Sequence, residues 1–267
     1  VKSLSTLENI WRIKDESSRG MHKVILGFAL VLYDMLNDDD DEVRDEAAAV
    51  TSALLRSQRE SSIAKNAVPM IAVQRLGRFF ATSYSDSTDL CKEALRRLGG
   101  HTTNQGRIFG SFRAQLAEAR RENTDLFVHE KQNLYKDESL DALFWADVLK
   151  SLSTRATRQH YVMDFKKWVL DGIAALSETA SAERDGPLGW TTKPEVFVLG
   201  LRLLCAADAL LAWNWEGSTE VKLALRNLGD ICVQTEVNGV WLRRIERILE
   251  DVVSRALQRV YLSLSVV

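Results

Sequence analysis

Leu36-Asn37-Asp38-Asp39-Asp40-Asp41-Glu42-Val43-Arg44-Asp45-Glu46-Ala47-Ala48-Ala49-Val50 is the stretch that decides the fold. Its first half is an acidic turn that ends one segment with an apolar stripe. Its second half opens another segment through Val43 and Arg44 and continues in small residues. Asp40 or Asp41 can cap that second segment as a helix, because a carboxylate oxygen accepts from free backbone N–H groups at a helix start and its charge suits the dipole there. Arg44 is expected to pair with an acid of the same turn or of a neighbouring unit. A helix–turn–helix unit of this kind buries its apolar face only against neighbours, so it implies a stack of similar units.

Working outward, apolar residues recur at three- and four-residue spacing almost everywhere. Leu4, Leu7, Ile10, Trp11 and Ile13 predict a short first helix, and Val24, Ile25, Phe28, Leu32, Met35 and Leu36 a second. The helix opened by the acidic turn should bury Val43, Ala47, Val50, Leu54 and Leu55. Further helices are predicted near 65–82, with Pro69 in the first turn, near 87–98, 112–121, 137–152, 158–179, 194–213, 219–233 and 239–263. Exposed loops are predicted near 99–110, 122–136 and 180–193, where glycines, Pro187 and polar residues gather. Glu220-Val221-Lys222 with Ala224, Leu225 and Leu228 is a loose echo of the acidic-turn repeat. The expected fold class is all-α, a HEAT/armadillo-like helical-repeat solenoid, with residues 1–267 a single segment from the C-terminal part of a longer protein.

Composition agrees with this reading and narrows the function. Of 267 residues, 46% are hydrophobic and 27% charged, with only three prolines and 14 glycines to break helices. The formal net charge of -2 gives no global field towards RNA or an anionic membrane, so any such contact must use a local patch. The three cysteines, Cys91, Cys205 and Cys232, are sparse and far apart. That pattern suits reduced core thiols in a cytosolic or nuclear protein better than a disulfide framework, and a cytoplasmic location is expected. The apolar runs are too short, or too interrupted, to span a bilayer, so no membrane role is expected.

Catalytic chemistry has little to work with. Nucleophilic catalysis needs a nucleophile, a base and an orienting group together, and the four histidines, His22, His101, His129 and His160, stand in no such motif. His129-Glu130 begins like a zinc-protease helix, but Asn133 stands where the second histidine must be. The acidic run Asp38–Glu42 lacks the alternation and the glycine of a calcium loop. No catalytic residue, cofactor or metal is expected in this chain.

Binding residues are easier to find. Arg107, Arg113, Arg120 and Arg121 lie on or beside one predicted helix and are the candidate RNA or partner contacts, with few acids before Glu118. Arg155, Arg158, His160, Lys166 and Lys167 form a second basic group, and Arg243, Arg244, Arg247, Arg255 and Arg259 a third. Taken singly, each reads first as a solvated helix face balanced by nearby acids, such as Glu246, Glu250 and Asp251 on the last helix. Among the seven tryptophans, Trp145, Trp168 and Trp241 fall on apolar faces, whereas Trp190, Trp213 and Trp215 flank predicted loops.

Asp125–Tyr135 reads Asp-Leu-Phe-Val-His-Glu-Lys-Gln-Asn-Leu-Tyr and is followed by Asp137-Glu138 and Trp145. With the acidic turn at Leu36–Ala49, this resembles the C-terminal region of the THADA family, very long HEAT-type solenoid proteins. The matching signature is Phe127, Glu130, Asn133, Leu134 and Tyr135. The resemblance implies a non-catalytic scaffold or auxiliary subunit that binds an FtsJ-like methyltransferase. It would help present tRNA for 2′-O-methylation of an anticodon-loop ribose. It also implies that S-adenosylmethionine is held by the partner enzyme. Within the segment, Phe127, Leu134 and Tyr135 would tuck a loop against the solenoid, with Glu130 and Asn133 satisfying its backbone. The rival reading makes that loop a partner surface. A scaffold of another kind, of the tubulin-folding cofactor or transport adaptor type, remains open on the same residues; it would bind protein without salt-sensitive RNA affinity.

Overall fold

In the computed structural model, residues 19–55, 68–99, 110–120, 138–157, 160–182, 194–213, 218–234 and 239–264 are described. They form helices and short turns, with no strand among the described residues. The chain divides into two compact units, Val1–Ser85 with Thr124–Asp137, and Asp86–Asn123 with Glu138–Val267.

The first unit holds α1 (Arg19–Met35), α2 (Asp41–Leu54) and α3 (Pro69–Ser83). α1 buries Leu26, Ala29, Leu32 and Tyr33, a three- and four-residue repeat that continues into Leu36 beyond its end. Asn37 caps the exit, its amide nitrogen donating to the Tyr33 carbonyl at 2.8 Å. The acidic turn then starts α2 as its sequence requires. Asp40 is the N-cap in extended backbone, and its carboxylate accepts from the Glu42 N–H at 2.8 Å. α2 buries Ala47, Ala48, Thr51 and Ser52. Of the face expected from sequence, only Ala47 is fully buried; Val43, Val50, Leu54 and Leu55 are half-buried. The contact ridge runs through the small residues, which let another backbone approach, and leaves the branched side chains at its margin. α3 opens on Pro69, whose missing N–H costs nothing in a first turn, and buries Ala72, Leu76 and Phe80 at four-residue spacing. Beyond its end the buried Tyr84 hydroxyl donates to the His22 carbonyl at 3.0 Å and ties α3 to the start of α1.

The second unit holds α4 (Thr88–Gly99), α5 (Phe112–Arg120), α6 (Glu138–Ser151), the single turn α7 (Thr154–Thr157), α8 (His160–Ala182), α9 (Pro194–Ala212), α10 (Ser218–Gln234) and α11 (Gly239–Leu264). α9 is its axis and packs on α4, α5, α6, α8, α10 and α11. Residues 203–211 are buried without interruption, as expected of a helix that is apolar all round. Two glycines set the closest approaches. A Cβ at Gly200 would lie 2.0 Å from Cζ2 of Trp241, so α11 lays an indole directly on the α9 backbone. A Cβ at Gly172 would meet Leu203 Cδ1 at 2.7 Å and Phe112 Cγ at 3.1 Å, so α8 receives α9 and α5 at one point.

Among the described residues, helix boundaries fall within a few residues of the sequence reading, and the short first helix predicted through Leu4–Ile13 lies outside them; α7 is the element that reading missed, a turn too short to carry a period. Trp145, Trp168 and Trp241 are core residues, at 0%, 5% and 0% exposure. Trp213 is half-buried and donates from Nε1 to the Leu149 carbonyl at 2.7 Å, which pins the end of α9 to α6. Cys91, Cys205 and Cys232 are buried free thiols. No helix among the described residues is long and apolar enough to cross a membrane.

Candidate functional site

The basic group singled out from sequence is centred on α5. This helix is seated by Phe112 and Leu116, at 2% and 5% exposure, which turn inward one helical turn apart. Phe112 meets the Trp168 ring edge-on at 5.6 Å between centroids, a favoured aromatic geometry. Gln115 fixes the register from both ends of its amide. Its nitrogen donates to the Gly99 carbonyl at 3.0 Å, and its oxygen accepts from Arg202 Nη2 at 2.6 Å. α4, α5 and α9 are thereby joined through one side chain.

Arg113 faces outward and is exposed. Its guanidinium forms a two-pronged pair with Glu178 of α8, at 2.6 and 2.7 Å. The hydrogen bond from Arg113 holds the Glu178 carboxyl below the usual carboxylate range. In the α5–α8 region, then, the cation is matched by an acid 65 residues away, which no reading of neighbouring residues could reveal. Arg120 ends α5 and its side chain is not described; Arg107 and Arg121 lie outside the described residues. Phe127, Glu130, Asn133, Leu134 and Tyr135, with Trp190 and Trp215, also lie outside them.

At the repeat turn, Arg44 Nη1 donates to the carbonyl oxygens of Asp38 and Asp39 at 2.7 and 2.9 Å. In this turn the arginine thus holds backbone, with Asp40 capping and Asp41 in the first helical turn. In the second basic group Lys166 pairs with Glu220 of α10 at 2.7 Å, while Lys167 is exposed. In the third, Arg243 and Arg247 face solvent, but Arg244 turns inward.

Arg244 leads to a cluster that the sequence reading did not assemble. Asp208 of α9 is 4% exposed. Its carboxylate lies 2.6 Å from Lys150 Nζ on α6 and 3.2 Å from Arg244 Nη2 on α11. One buried anion therefore joins three helices, and Arg244 also reaches Cys205 Sγ at 3.9 Å. Burial pushes the Cys205 thiol up, with Arg244 opposing and Asp208 reinforcing, so the sulfur stays protonated and a poor nucleophile. The available signal was Asp208 itself, a lone charge inside the apolar run Leu203–Ala212. A second, half-buried network lies on α4: Glu93 accepts from both Arg96 and Arg97, and Arg97 stands over the Trp145 ring at 5.0 Å. Among the described residues no group of three or more metal-ligating side chains is gathered.

These features define a class: an all-helical repeat protein whose inward charges hold helices together and whose outward charges are in part mutually paired. The chain belongs to the Trm732 C-terminal family, described as the Trm72 ARM-like repeat region, which matches residues 78–253. It is 28% identical over 183 residues to the tRNA (32-2′-O)-methyltransferase regulator trm732 of Schizosaccharomyces pombe. That match takes in 67% of this chain and 11% of the relative, so the chain spans about a tenth of the relative's length. No solved structure matches.

Proposed function

We propose that the chain is part of a non-catalytic auxiliary subunit that supports 2′-O-methylation of an anticodon-loop ribose in tRNA. The observation that carries this is membership of the Trm732 C-terminal family together with the likeness to a relative named as a tRNA methyltransferase regulator. On this reading the chain binds an FtsJ-like methyltransferase, which holds S-adenosylmethionine and supplies the catalytic groups. The chain's stacked helices give enzyme and folded RNA one surface, which lowers the entropic cost of bringing one ribose to the active site. Its site of action would be cytoplasmic, and residues 1–267 would form one segment of a longer solenoid.

A methylation assay tests this. The FtsJ-like enzyme and S-adenosylmethionine are given tRNA with and without the chain. The reading predicts methyl transfer that depends on the enzyme and is raised by the chain, with none from the chain alone. Transfer by the chain without the enzyme, or no change on adding it, contradicts the reading. A second reading is favoured by one observation. Arg113, the member of the leading basic group whose side chain is described, is already paired with Glu178. That neutralised face suits a protein partner better than a phosphate backbone. In that case enzyme binding persists while tRNA binding by the chain alone shows no salt dependence.

A further inference from the structure

We draw no further inference here: the strongest candidate, the outward face of α8 where the exposed acids Asp164, Asp171 and Glu178 recur at seven-residue spacing beside the exposed Met163, turns one of those acids to the chain's own Arg113, and nothing in the structure shows what covers the rest.

Discussion

Asp208 shows how much one side chain can decide. Its carboxylate is the shared anion of Lys150 and Arg244, whose side chains are 28% and 18% exposed. Asp208→Asn takes the charge partner from Arg244 in a largely dry site and leaves Lys150 with the exposed Asp147, 3.4 Å away. Breaking such a pair costs about 3 kcal/mol, nearer the lower end of the usual range because Lys150 is partly solvated. Urea unfolding followed by tryptophan fluorescence should show that loss. Replacing all three residues by apolar ones of similar volume should restore most of it, since the net worth of a buried ion pair against good packing is small. Tyr84 offers a check at the other end of the pH scale. Burial raises its phenol from 10.0 to about 12. The folded state therefore favours the protonated form, and that stabilisation is complete below pH 10 and lost as pH rises towards about 12. Tyr84→Phe should flatten the alkaline decline of Tm, though it also gives up the hydrogen bond to the His22 carbonyl at neutral pH.

At the scale of elements, most of the fold was legible because helical period and helix breakers act locally. Pro69, Pro194 and the acidic turn each mark a helix start where the structure has one. What was not legible depends on partners distant in sequence. The α2 ridge passes through Ala48, Thr51 and Ser52 because of how α3 and α1 meet it, and periodicity alone cannot choose among adjacent faces. Arg244 was read with Arg243 and Arg247 as one basic face, and only the position of Asp208 on another helix turns it inward. Arg113 is matched by Glu178 for the same reason, so this part of the candidate site was legible as a location and not as a free charge. Two predictions belong here. Gly200→Ala gains about 1 kcal/mol of helix propensity. The added methyl meets the buried Trp241 ring at 2.0 Å, and overpacking of this kind costs about 1–3 kcal/mol. Net destabilisation is expected, read as a lower urea midpoint. Glu178→Gln should leave the fold intact and release Arg113. If this face meets RNA, tRNA affinity rises and the salt dependence steepens by about one counterion; unchanged binding would place the RNA elsewhere.

At the scale of the molecule, the account rests on division of labour. Helical repeats bury their charges to hold a fixed surface, and a fixed surface is worth most to a partner that must hold a large substrate in one orientation. The proposal that the partner is a tRNA methyltransferase rests on family membership and on the likeness to a methyltransferase regulator, of which the match covers about a tenth. The central claim is that this segment itself engages the enzyme. The direct measurement is sedimentation of the purified chain with an FtsJ-like tRNA methyltransferase, with and without tRNA, across a salt series. The account predicts a complex of chain and enzyme at moderate salt, to which tRNA adds in a salt-dependent way. Chain and enzyme that sediment independently at every salt concentration, with tRNA present or absent, would contradict it.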